Sequence, residues 1–194
     1  MKNQDILFEI NALIKKRWSP RAFSKESLTT DDMNTLFEAA SWAASSINEQ
    51  PWVYYYSLRD DPEFQEFTRC LNPKNQLWAK DAAALIFSAA RKSFTVLEGK
   101  ANPYAFHDTG MANATLLIQA TEMNIFGHVM GGFDKNLSKE IFKLPDDIEP
   151  VVFIALGYLG DPDQLNDDLK KRESQMRIRK PVHEFVTRGL PDQH

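Results

Sequence analysis

One cysteine is all this chain of 194 residues carries, and Cys70 alone cannot close an internal disulfide, so a stapled secreted scaffold is excluded and the cytoplasm is the expected compartment. The first five residues, Met1-Lys2-Asn3-Gln4-Asp5, lack the basic stretch followed by an apolar one that marks secretion. Long hydrophobic runs are missing too. The longest, residues 82–90, is broken by Ser88 and falls far short of the roughly 20 residues a membrane-spanning helix needs, so no membrane partner is expected. There is no excess of positive charge: the net charge of -4 argues against general nucleic-acid binding, which exchanges counterions at a basic surface. G-x-G-x-x-G, G-x-x-x-x-G-K, C-x-x-C and H-E-x-x-H are all absent, so dinucleotide-fold, P-loop and zinc chemistry have no local support. His107, His128, His183 and His194 are scattered, and each reads as a surface or satisfied core histidine rather than a metal ligand.

What is present suits one globular domain over residues 1–194, with 43% hydrophobic residues to build a core. Ile6, Leu7, Ile10, Leu13 and Ile14 recur at helical spacing and stop before Ser19-Pro20, which predicts a helix delivering Arg17. Thr29 or Thr30 followed by Asp31-Asp32 predicts an N-cap, opening a helix through Met33, Leu36, Phe37, Ala40 and Ala44. Residues 52–56, 82–88 and 151–157 read as strands of one sheet, and residues 127–130 as another strand. Between residues 105 and 126 a long helix is apolar on nearly every face, which in a chain this short predicts a subunit interface. The tail from Pro181 lacks a core of its own and is expected to wrap around something already folded.

Three polar constellations lie far apart where helices should give way to loops: Arg17-Trp18-Ser19-Pro20-Arg21, Ser45-Ser46-Ile47-Asn48-Glu49-Gln50-Pro51-Trp52 and Arg177-Ile178-Arg179-Lys180-Pro181. In an acidic protein, cations gathered at two chain-distant ends point to one small anionic ligand, first of all a phosphorylated cofactor. With Gly131-Gly132-Phe133-Asp134 after the long helix, these strings resemble, in order and spacing, the FMN-dependent nitroreductase family from about Arg17 to Pro181. The resemblance implies an α+β fold with a central mixed β-sheet surrounded by helices. It also implies an intertwined homodimer, with a C-terminal extension over the partner and two flavins at the interface.

By that resemblance Arg17, Ser19, Arg177 and Arg179 hold the FMN phosphate, ribityl chain or ring edge, where guanidinium forks suit a phosphate. Trp18 contributes mainly backbone, Arg21 a cation near the flavin pyrimidine, and Asn75 an amide for the pyrimidine edge or a helix cap. Ser45, Ser46 and Asn48 come from the opposite subunit. Met130, Gly131 and Gly132 pass behind the ring, where a backbone N–H approaches N5 without a catalytic side chain. Some relatives carry glutamate where Gly131 stands and lysine where Trp78 stands; the first difference removes a charge near the substrate face and the second a cation near the flavin. Residues 91–104 form a short segment that implies an open pocket, with Phe94, Tyr104 and Phe106 as lining or core. The implied activity is NAD(P)H-dependent reduction of nitroaromatics, quinones or related small acceptors by ping-pong kinetics; a flavin-binding redox sensor, or a specialised reductase of the same fold, is the alternative.

Overall fold

The computed structural model describes residues 8–190. Four strands, β1 (Trp52–Leu58), β2 (Ala84–Arg91), β3 (Phe126–Met130) and β4 (Ile148–Gly157), form one sheet in the order β1-β2-β4-β3. Every neighbouring pair is antiparallel, so the predicted mixed sheet is corrected within the described residues. The connectivity gives the reason. The crossover from β2 to β3 runs through helix α5 (Ala105–Glu122), and it leaves those two strands pointing the same way. β4 inserts between them, just as β2 stands between the like-directed β1 and β4, so no two strands that run the same way are neighbours.

Period-two alternation divides the sheet's side chains between two cores. Leu85, Phe87, Phe153 and Met130 face one side, with Phe64, Phe67 and Cys70 of α3 (Phe64–Cys70) and Trp78 of α4 (Pro73–Ala79); Leu137 and Ile141 of α6 (Lys135–Ile141) pack against them. Ile86, Ile154 and Leu156 face the other side, under Met33, Leu36 and Ala40 of α2 (Thr30–Ser41) and Ala112, Leu116 and Ala120 of α5. β2 is buried on both faces, which is why its sequence reads as an apolar run interrupted only by Ser88 before Arg91.

Helix starts follow local chemistry. The Thr29 side chain accepts from Asp32 N–H and the Asp32 carboxylate accepts from Thr29 N–H, a reciprocal capping box that opens α2 as the sequence predicts. The first helix is shorter than predicted: α1 spans Ala12–Lys16 because Asn11 caps it, its side chain accepting from Leu13 N–H at 2.8 Å. Ile10 precedes that cap, and Ile6 and Leu7 lie outside the described residues.

α5 is only half covered. Ala112, Leu116 and Ala120 are fully buried, whereas Phe106, Gly110, Met111 and Ala114 are exposed along its outer side. Beyond α7 (Asp167–Glu173), the side chains of Met176, Ile178, Val182, Phe185, Val186 and Leu190 also stand exposed. Residues 191–194, including His194, lie outside the described residues. No helix among the described residues is long and apolar enough to cross a membrane.

Candidate functional site

Residues 17–21 and 173–179 are more than 150 positions apart in the chain, yet they lie against each other. Arg177 Nη1 donates to the carbonyl oxygens of Lys15 and Arg17 at 2.9 and 2.6 Å, and its guanidinium carbon sits 5.9 Å from the Trp18 ring centroid. Arg17 Nη1 donates to Ser19 Oγ at 3.0 Å. Burial, and then the charge of Arg179, lowers the pKa of Arg17; burial, then Arg17 and Arg179, lowers that of Arg177. Three guanidiniums therefore share one locale and repel one another. Arg179 Nη1 donates to Ile178 O at 2.8 Å.

Arg21 sits in a different electrostatic setting. Burial lowers its pKa first, Glu173 opposes that shift, and Arg172 adds to it. Glu173 Oε2 accepts from Arg21 N–H at 3.0 Å and lies 3.8 Å from Arg21 Nη1, while Oε1 accepts from Trp18 Nε1–H at 3.3 Å. Nothing in the sequence singles out Glu173, because it closes a charged run from Asp167 that reads as a solvated helix face.

The Met130–Gly132 segment meets Asn75, a contact the sequence does not foretell. Gly132 O accepts from Asn75 Nδ2 at 3.0 Å and from Asn72 N–H at 3.1 Å, and Asn72 Oδ1 accepts from Asn75 N–H at 2.9 Å, capping α4. Asn75 thus lies in the first turn of α4, capped by Asn72 rather than capping, with its side-chain amide against Gly132. A Cβ added at Gly132 would fall on the Asn72 side-chain nitrogen and lie 3.3 Å from Asn75 Nδ2; at Gly131 nothing stands within 4 Å. Trp78 is buried and packs with Phe23 and His128, so the residue standing in place of a lysine is a core element here.

His128 was predicted to be a satisfied core or surface histidine, and it is satisfied. Its Nδ1 lies 2.9 Å from Pro20 O, and its ring centroid is 4.6 Å from that of Trp78. Burial, reinforced by the Arg21 and Arg17 charges against the pull of the Pro20 and Ser19 backbone, brings its pKa down to about 4. It is a neutral prop beneath the 17–21 loop. Cys70 is buried in the core, and among the described residues no three His, Cys, Asp or Glu side chains gather to hold a metal ion.

The 45–50 loop is built stiffly and elsewhere. Ile47, Asn48 and Gln50 have φ of 47, 58 and 54°, a left-handed region costly to side chains and above all to β-branched Ile47. Surrounding bonds hold it: Ser46 N–H donates to the buried Asp108 carboxylate at 2.9 Å, Gln50 N–H to Ser45 Oγ at 3.0 Å, and Gln50 Nε2 to Asn48 O at 3.2 Å. Burial pushes the Glu49 carboxyl up, but the Thr95 N–H and hydroxyl, the Val96 N–H and Arg91 together hold it below its ordinary value. His107 Nδ1 lies 2.9 Å from the same Asp108. Phe94 is buried beneath this region, whereas Tyr104 and Phe106 are exposed beside it.

The structure thus groups Arg17, Trp18, Ser19, Arg21, Arg177 and Arg179 in one cluster and Asn75 with Met130, Gly131 and Gly132 in another, with His128 on β3 linking them. Ser45, Ser46 and Asn48 are not joined to either. Asp108 anchors their loop near the start of α5, whereas Lys16, next to Arg17, donates to Asn124 Oδ1 at 2.6 Å just past the end of α5. At 1.5 Å per helical residue, those two anchor points are roughly 24 Å apart.

The sequence model of the nitroreductase family matches residues 14–63 and 56–158. A solved structure described as "the oxidoreductase containing FMN" superposes with a TM-score of 0.91 at 32% identity, covering 98% of each chain. A protein of Mycolicibacterium smegmatis described as "Uncharacterized 15.4 kDa protein in ask 5'region" is 31% identical over 112 residues, 58% of this chain and 74% of its own. One from Archaeoglobus fulgidus, named "Putative NADH dehydrogenase/NAD(P)H nitroreductase", is 23% identical over 176 residues, 83% of this chain and 95% of its own. With a matched sequence model spanning most of the chain and a superposable relative over nearly all of it, the protein belongs to the nitroreductase family.

Proposed function

We propose that the chain, acting as one domain over residues 1–194, is an FMN-dependent oxidoreductase that takes electrons from NAD(P)H and passes them to nitroaromatics, quinones or related small acceptors. The observation that carries this reading is the convergence of Arg17, Arg177 and Arg179, whose burial and mutual repulsion lower the pKa values of the first two. A doubly charged phosphate fits there because it offsets the repulsion and accepts the guanidinium hydrogen bonds lost to burial. Kinship with a protein described as containing FMN, and with one named for NAD(P)H, supports the cofactor and donor.

FMN bound there supplies hydride acceptance and donation at N5, so one pocket serves donor and acceptor in turn, a ping-pong scheme. The chain's own part is positioning. Arg17, Arg177, Arg179 and Ser19 hold the phosphate end, and the 17–18 backbone is fixed by Arg177. Met130, Gly131 and Gly132 offer a side-chain-free backbone surface to the ring. Asn75, its amide nitrogen committed to Gly132 O, keeps its oxygen as an acceptor for a ring N–H. Arg21, charge-paired with Glu173, contributes a tempered rather than a full positive field.

The partner loop follows from dimension. Ser45, Ser46 and Asn48 lie about a helix length from the arginines, so two α5 helices packed antiparallel through their exposed sides would bring each loop to the other copy's arginines. The exposed apolar tail then has a partner surface to cover. Stopped-flow absorbance in the flavin band tests the reading: bleaching on adding NADH or NADPH, and recovery on adding a quinone or nitro compound, is expected. A bound flavin that neither nicotinamide reduces would leave the redox-sensor alternative in its place. Arg179→Ala should weaken FMN retention; an unchanged affinity would remove that residue from the phosphate site.

A further inference from the structure

We propose that Glu173 is the positioning residue of the anion site: its carboxylate locks the end of α7 to the 17–21 loop and keeps Arg21 apart from the Arg17, Arg177 and Arg179 trio. This rests on reading the trio as a phosphate site. Both carboxylate oxygens are spent on one loop, Oε1 on the Trp18 indole N–H at 3.3 Å and Oε2 on the Arg21 backbone N–H at 3.0 Å, with Arg21 Nη1 at 3.8 Å. The Glu173 side chain is only 7% exposed. A two-point grip by a planar group fixes both the position and the orientation of the loop relative to the helix.

That grip determines where the trio forms. Arg177 follows Glu173 by four positions, a span of at most about 14 Å even fully extended, so anchoring the first confines the second. Arg177 then reaches back to the Lys15 and Arg17 carbonyls, and its guanidinium lies against the same Trp18 that Glu173 holds. Trp18 is thus gripped twice, at its indole nitrogen by Glu173 and over its ring by Arg177. Arg17 and Arg177 each sense Arg179, whereas Glu173 acts on Arg21. The carboxylate therefore pairs with Arg21, which lies outside the trio, against the added charge of Arg172.

The sign of the effect is what makes the idea testable. A negative charge close to an anion site should repel the anion, so deleting it for charge alone would tighten binding. If Glu173 acts by position, deleting it should weaken binding. FMN is titrated by fluorescence into the flavin-free full-length protein, comparing wild type with Glu173→Ala, Glu173→Gln and Trp18→Phe. Loss of two hydrogen bonds to a charged group predicts at least roughly tenfold weaker binding for Glu173→Ala. Glu173→Gln keeps one carbonyl acceptor and should recover part of that loss; Trp18→Phe keeps the ring beneath Arg177 and should lose about two- to fivefold. Unchanged or tighter binding in Glu173→Gln, or identical behaviour of the Ala and Gln variants, would overturn the proposal. Should Glu173→Ala not fold, Glu173→Gln and Trp18→Phe decide: weaker binding in both supports the proposal, and unchanged or tighter binding in either overturns it. Inorganic phosphate, titrated calorimetrically into the same proteins, is expected to give the same order. A wild type that binds phosphate but not FMN would refute the flavin reading, and the phosphate series would still decide the role of Glu173.

Discussion

Gly132→Ala tests the most crowded point of the proposed site. An alanine Cβ there would fall on the Asn72 side-chain nitrogen and lie 3.3 Å from Asn75 Nδ2. Asn72 cannot simply rotate away, because its Oδ1 caps α4 through Asn75 N–H at 2.9 Å, and Asn75 Nδ2 in turn holds Gly132 O at 3.0 Å. Displacing the cap costs about 1 kcal/mol. Loosening the Asn75 bond costs about another 1 kcal/mol. A total of about 2 kcal/mol corresponds to a fall in Tm of roughly 4–8 °C for a chain of this size. Gly131→Ala is the matched control: nothing stands within 4 Å of its added Cβ, and a change within about 0.5 kcal/mol is expected. Thermal melts of the two flavin-free proteins at equal concentration make the comparison. Equal Tm values for Gly131→Ala and Gly132→Ala would refute the argument that Asn72 fixes the glycine.

His128 should make stability depend on pH. The unfolded chain takes up a proton near 6.5, whereas the folded one resists until about 4, so folding loses stability as pH falls from 6.5 toward 4 and is indifferent to this group above that window. In denaturant melts Glu would not serve as a replacement, but His128→Gln, which retains a donor for Pro20 O, should flatten that part of the wild-type slope; an unchanged slope would remove His128 as its source. If the site is shared between two copies, mixing Arg17→Ala protein with Asp108→Ala protein after subunit exchange should restore flavin binding to roughly a quarter of the sites, since each mixed dimer keeps one intact pair. No recovery in exchanged dimers would place both halves in one protomer. Ile47→Gly should relieve the left-handed strain and raise Tm slightly despite the greater freedom of glycine when unfolded, while weakening flavin retention as the loop loosens. A lower Tm would show that Ile47 carries packing that outweighs its backbone.

The local elements were legible because short-range chemistry specifies them. Thr29-x-x-Asp32 is a complete helix start in four residues, and the apolar run of β2 announces a strand covered on both faces. The arginines and the paired glycines were visible as residue types whose side-chain chemistry suits an anion and a close backbone approach. Asn72-Pro73 offered a cap signal that would have drawn attention to the Asn72 contact with Gly132. Glu173 offered none, since a glutamate in a charged helix looks the same whether water or an indole N–H meets it.

By itself, then, the sequence determined which segments become helix or strand and which side chains could grip an anion, because both depend on neighbours a few residues away and on side-chain chemistry. Only the tertiary structure decided that β4 would slot between β2 and β3 and leave every pairing antiparallel. It also decided that Arg21 would be claimed by Glu173, and that the 45–50 loop would end up at the opposite end of α5 from the arginines. Those outcomes are set by long-range packing, in which contacts between residues tens to more than a hundred positions apart compete for the same space and charge.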